Sequence, residues 1–129
     1  MIAVDTNIVV RYLTGDHPRQ STKARTLVDG NDVFLSRTVI LECEWVLRSA
    51  YRNSPREICR KLREFTGLPT VFTEDHPVVA RALDLAEDGM DFADALHLGA
   101  ATSCEYFATF DEDFVKSAKR AGIDRVSTV

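Results

Sequence analysis

Asp5 and Asp111 each follow an apolar run, Glu42 and Asp94 each interrupt one, and each alone has an ordinary explanation as a helix cap or a surface residue. Together they suggest chemistry. Two carboxylates about 4 Å apart repel by about 4 kcal/mol at an effective dielectric of ~20, so several gathered in one place would take up protons and neutralise. A divalent cation removes that conflict. Carboxylate and water ligands suit Mg²⁺ or Mn²⁺, which keep part of their hydration shell and accept phosphate as a further ligand. The matching reaction is phosphodiester hydrolysis, in which a metal polarises the phosphate and generates hydroxide from bound water. No Ser-His-Asp or Cys-His arrangement and no phosphate-cradling Gly loop competes with it.

Placing these acids requires the elements around them. Apolar runs at Ile2 to Val4, Val33 to Ser36, Thr70 to Thr73 and Tyr106 to Thr109 read as strands, with a further short one at Arg125 to Ser127. The first reads as a buried strand. Helices are expected from about Ile8 to Leu13, from His17-Pro18 to Val28, from a cap at Thr38 or Ser36 to about Tyr51, after Asn53-Ser54-Pro55 to Phe65, from Asp75, His76 and Pro77 to Glu87, from Phe92 to about Cys104 and from Asp113 to Ala121. Strands alternating with helices imply a mostly parallel sheet covered on both faces. In right-handed strand-helix-strand units the strand C-termini and helix N-termini share the edge of the sheet where ligands bind. By position Asp5, Glu42, Asp94 and Asp111 belong to that edge.

Helical phase separates neighbouring candidates. Taking Val39, Cys43, Val46 and Ala50 as an apolar stripe puts Glu42 at its margin, able to look inward, and Glu44 towards water. Asp91 reads as an N-cap, with Asp94 three residues later completing an approximate capping box. Because the helix after Asp91 is apolar on most faces, a carboxylate at Asp94 is hard to leave solvated. His97, one turn on, is either a ligand or, as the preferred reading, a packed, hydrogen-bonded residue, and Asn7 either hydrogen-bonds the site or, as preferred, caps the first helix.

The 129 residues suit one domain, with 45% apolar and 28% charged residues in the usual globular balance. No apolar stretch approaches the ~18 residues of a membrane span, and Asp5, Asn7 and Arg11 interrupt the only N-terminal apolar segment, so no secretory leader is expected. Three widely spaced cysteines without a CxxC pair suggest neither disulfides nor zinc. The cytoplasm is the expected location. A net charge of −4 argues against a generic nucleic-acid coat protein, although not against an enzyme acting on nucleic acid. Arg48, Arg52, Arg56, Arg60, Lys61 and Arg63 form a locally basic stretch whose field can oppose the net value.

The stretches "VDTNIVVRYL", "LECEWVLRSAY", "DFADALHLGAA" and "FATFDEDF" run through the chain in the order found in PIN domains. The sequence resembles that family, particularly the VapC-type toxin ribonucleases of bacterial and archaeal toxin-antitoxin pairs. The resemblance implies a single PIN domain over residues 1–129 and a three-layer α/β/α sandwich around a central, mostly parallel sheet. It further implies a Mg²⁺- or Mn²⁺-dependent endoribonuclease, a homodimer or a heterocomplex with its partner, and inhibition by a small cognate antitoxin protein.

Residue by residue, Asp5, Glu42, Asp94 and Asp111 match the family's four acids and Thr6 the hydroxyl residue after the first. On that reading Asp5 and Asp94 hold the main metal. Glu42 and Asp111 complete the pocket through water or a second metal, and Thr6 holds a carboxylate or the scissile phosphate. Asp113 is either an auxiliary ligand or the N-cap of the last helix, and Arg48 and Arg52 are candidates for RNA backbone contacts. The alternatives are an RNA-processing nuclease and a non-catalytic RNA- or protein-binding module on the same scaffold. A haloacid dehalogenase-type phosphatase would need Asp where Asn7 stands, and a receiver-like domain would need paired acids and a Lys that do not fit.

Overall fold

The first turn of every helix leaves backbone N–H groups without intrahelical partners, and this sequence supplies an acceptor at most of its helix starts. The computed structural model describes Met1–Val129 and divides the chain into two units, Met1–His76 and Pro77–Val129.

The first unit holds β1 (Ile2–Ala3), α1 (Thr6–Thr14), α2 (Pro18–Gly30), β2 (Val33–Leu35), α3 (Arg37–Ser49), α4 (Pro55–Thr66) and β3 (Val71–Thr73). Its strands form a parallel sheet in the order β1-β2-β3, with Ile2 opposite Val33, and Val33 opposite Val71. Parallel neighbours need crossovers, and the helices between the strands supply them. Val33 and Leu35 of the central strand are fully buried. The reading of the first strand as buried is corrected: β1 lies at the sheet edge, Ile2 and Ala3 are exposed, and only Val4 just beyond them enters the core. There Val4 extends the ladder by donating its N–H to the Phe34 carbonyl at 3.2 Å.

Helix starts follow from local chemistry. Ser54 and Glu57 form a reciprocal capping box on α4, at 3.0 and 3.2 Å, with Pro55 at the first helical position. Ser36 caps α3 through the Val39 N–H and His17 caps α2 through the Gln20 N–H. The first helix begins two residues earlier than its apolar pattern implies, because Asp5 rather than Asn7 is its cap. Asp5 accepts from Ile8, three residues on, which is the reach an N-cap side chain has. Gly15 ends α1 at φ 68°, in the left-handed region that glycine enters without a Cβ penalty.

The helix α5 (His76–Glu87) begins at the last residue of the first unit and continues through the second, which also holds α6 (Phe92–Ala100), β4 (Phe107–Thr109), α7 (Glu112–Arg120) and β5 (Val126–Thr128). β4 and β5 pair in parallel, with Phe107 opposite Val126. Phe107 packs edge-on against Phe114 at 5.3 Å between ring centres, fixing α7 to its sheet.

Helix α6 stops at Ala100, four residues short of the expected Cys104. Arg125, far away in sequence, donates to the carbonyls of Leu98 at 2.9 Å and Ala101 at 3.1 Å. That guanidinium satisfies carbonyls that the next helical turn would otherwise take up.

Gly99 of α6 faces Val78 of α5 so closely that an added Cβ would stand 2.7 Å from Val78 Cγ1. A β-branched side chain on a helix has little freedom to retreat. Gly99→Ala should therefore lower unfolding free energy by about 1–3 kcal/mol, the usual range for overpacking. In urea titrations the double variant Val78→Ala/Gly99→Ala should recover part of that loss relative to the sum of the single changes.

Candidate functional site

Each unit brings acidic side chains to the N-terminal end of a helix. In the first, Asp5 follows β1, and its Oδ1 accepts the Ile8 N–H at 3.1 Å. One carboxylate oxygen is thus committed to the backbone and the other carries no bond within the chain. Thr6, buried beside it, donates its hydroxyl to Glu42 Oε1. Glu42 is thereby tied to the residue after Asp5 while remaining exposed.

The phase assigned to α3 from sequence is corrected. Its buried residues are Ile40, Cys43, Glu44 and Leu47. At 3.6 residues per turn, Glu44 lies roughly 50° from the centre of that stripe and Glu42 roughly 150° away. Val39 and Val46 are only half-buried, and Ala50 is exposed. Glu44, expected to face water, is 8% exposed and holds Arg48 through Nε at 2.9 Å and Nη2 at 3.3 Å. Arg48, a candidate for RNA contacts, therefore already has a carboxylate partner. Arg52 is exposed just beyond the helix, with φ at 54°.

Cys43 lies between these acids on the core side of α3. Burial, then the Glu42 charge, pushes its thiol up to about 12, with Thr6 opposing and Asp5 adding to the rise. It is an inert buried thiol rather than a nucleophile.

In the second unit Asp91 caps α6 by accepting the Asp94 N–H at 3.0 Å, as its position in sequence implied. Asp94 is half-buried in the first turn. Burial raises its pKa, the Asp91 and Asp111 carboxylates raise it further, and His97 opposes them. His97 is exposed, correcting the expectation of a packed residue: it lies opposite the Phe92, Ala95 and Leu96 stripe. Asp111 accepts the N–H groups of Asp113 at 2.9 Å and Phe114 at 3.3 Å, and donates its own to Thr109 Oγ1 at 3.0 Å. The N-cap of α7 is accordingly Asp111. Asp113 is an exposed residue of the first turn, not the cap.

The arrangement is that of oxygen donors with one oxygen fixed by helix N–H groups and one left over, at Asp5, Asp91 and Asp111. Carboxylates and a hydroxyl are the donor chemistry that hard divalent cations take. No three His, Cys, Asp or Glu side chains are grouped to hold a metal ion as they stand. A groove also begins at Asp5 and runs between α1 and α2, lined by Gln20, Lys23, Ala24 and Leu27 among others. That lining was missed in the sequence, although the i, i+3, i+4, i+7 spacing on α2 marks one helix face.

Parallel strands joined by helices, with acids where helices begin, define an α/β protein. Residues 2–120 match the PIN domain family, and the chain belongs to it. Its seven helices and parallel strand pairs accord with the three-layer α/β/α fold of PIN domains. No curated protein and no solved structure matches the chain. No helix is long and apolar enough to cross a membrane.

The Asp94 environment carries a pH dependence. Its raised folded pKa favours the protonated form, so its contribution to stability is fully present below the unfolded value of about 3.9 and is lost as pH rises through the folded value. Without divalent cation, Asp94→Asn, which stays neutral, should melt higher than wild type at pH 7, and the two melting curves should converge below about pH 4. Carboxyl NMR titration should place Asp94 above the ordinary Asp range.

Proposed function

We propose that the chain is a metal-dependent endoribonuclease and the toxin of a toxin-antitoxin pair. The observation that carries this reading is the PIN domain match, which spans all four acids, Asp5, Glu42, Asp94 and Asp111. The match also runs through both units, which supports treating residues 1–129 as one PIN domain. Asp5 and Asp94 are assigned as principal ligands of Mg²⁺ or Mn²⁺, with Glu42 and Asp111 acting through water or a second ion. Asp113 serves as an auxiliary acid.

When bound, the cation supplies Lewis acidity towards the phosphate and lowers the pKa of a coordinated water. The remaining tasks fall to this chain's own groups. Thr6 fixes one oxygen of Glu42, leaving the other to accept a hydrogen bond from the attacking water and orient it. Backbone N–H groups at the starts of α1 and α7 hold Asp5 and Asp111 in single orientations. Pre-oriented acids lose little freedom when a ligand arrives. Arg52 and the basic stretch after it offer phosphate contacts. The toxin role adds a cognate antitoxin, a homodimer or a toxin-antitoxin heterocomplex, and a cytoplasmic RNA target.

Asp5→Asn and Asp94→Asn should each lower cleavage of single-stranded RNA by about 100-fold or more with Mn²⁺ present, the scale on which loss of a charge-stabilising group acts. Calorimetric titration should show Mn²⁺ binding to wild type and clear weakening in Asp94→Asn. Expression of wild type should arrest growth while both variants are tolerated. A wild type that cleaves no RNA would leave a non-catalytic binding module as the reading. Cleavage without growth arrest would instead point to RNA processing.

A further inference from the structure

The groove beginning at Asp5 has a volume of about 730 Å³, within the range of small-ligand sites. Val4, Ile8, Ala24 and Leu27 give it an apolar floor, and Asn7 and Arg11 from α1 face Gln20 and Lys23 from α2 across it. Arg11 is fixed in place: it donates to Gln20 Oε1 at 2.9 Å, to Asp16 at 3.2 Å and to the Tyr51 hydroxyl at 3.1 Å. With Gln20 Oε1 occupied, the amide NH₂ of that residue remains as a donor. The side chains of Lys23 and Asn7 line the groove without a hydrogen bond or ion pair to the rest of the chain.

We propose that this groove is a nucleotide subsite, which seats one unit of a single-stranded RNA beside Asp5, its base on the apolar floor and its phosphate at Lys23. The proposal rests on the nuclease reading and adds where the substrate is gripped. Base edges offer donors and acceptors that side-chain amides match, and unstacked bases of single strands are the usual targets of such recognition. Lys23 meets phosphate as a point charge. In a chain of net charge −4 that local cation matters more than its number suggests. A wholly apolar helix face laid in the same groove would cover Lys23 and Asn7 at the desolvation cost of unpaired polar groups. A nucleotide satisfies both.

Lys23→Ala and Leu27→Trp, the second filling the floor, test the assignment against a six-nucleotide RNA. Cleavage with Mn²⁺, RNA anisotropy over a salt series without divalent cation, and calorimetric Mn²⁺ binding are measured on both variants. Lys23→Ala should raise KM about tenfold with kcat little changed, and flatten the slope of log affinity against log salt by about 0.7, one single-strand phosphate contact. Leu27→Trp should weaken RNA binding at least as much, and Mn²⁺ affinity should stay at the wild-type value in both. Unaltered KM and anisotropy in both variants, with cleavage still lost in Asp94→Asn, would overturn the subsite and leave the nuclease intact. RNA binding that both variants weaken, in a wild type that does not cleave, would support the subsite and overturn the nuclease. Loss of a protein partner without loss of RNA would overturn the nucleotide assignment.

Discussion

A carboxylate at a helix start has two oxygens and needs only one of them to satisfy the first turn. That division organises this protein. Asp5, Asp91 and Asp111 each bind backbone N–H groups through Oδ1. The same contact that begins each helix therefore also aims a carboxylate and leaves its second oxygen over. Parallel strand pairing makes such junctions recur, because every strand must hand over to a helix before the next parallel strand can form. Capping and chemistry are therefore not competing explanations of Asp5.

Asp94 and Glu42 work differently, since neither caps a helix. Asp94 sits among like charges and partial burial, and its carboxyl is held above the usual range. Glu42 reaches its place by the Thr6 hydroxyl, from the exposed side of α3. An exposed carboxylate tied at one oxygen is open to a ligand at the other. Glu44, two residues on, is closed by Arg48 and by the core. The two glutamates thus divide into an available and a committed acid, on the opposite faces from those that the apolar pattern implied.

Much of this architecture is legible in the sequence wherever the signal is local. Ser54-Pro55 with Glu57 writes the start of α4 within four residues, and Gly15 writes the end of α1. The order of strands and helices follows from alternating apolar runs. The candidate acids were also visible, through position and through the family motifs. What the sequence hid depends on longer range. The phase of α3 was misplaced because Val39 and Val46 are apolar yet only half-buried, while the core stripe accommodates Glu44. The end of α6 is set by Arg125, more than twenty residues away, so no local breaker announces it. The exposure of His97 and the groove between α1 and α2 likewise arise from how helices meet, which spacing on a single helix does not determine.

The cysteines carry a consequence of a different kind. Cys43 and Cys59 are buried, and Cys104 is exposed on the segment between α6 and β4. Thiolates are the reactive species, and Cys43 is held near 12 by its surroundings. A thiol reagent at neutral pH consequently meets one accessible sulfur in the folded chain and three once it opens. The protein carries its own reporter of unfolding, readable sulfur by sulfur, without any label being engineered into it.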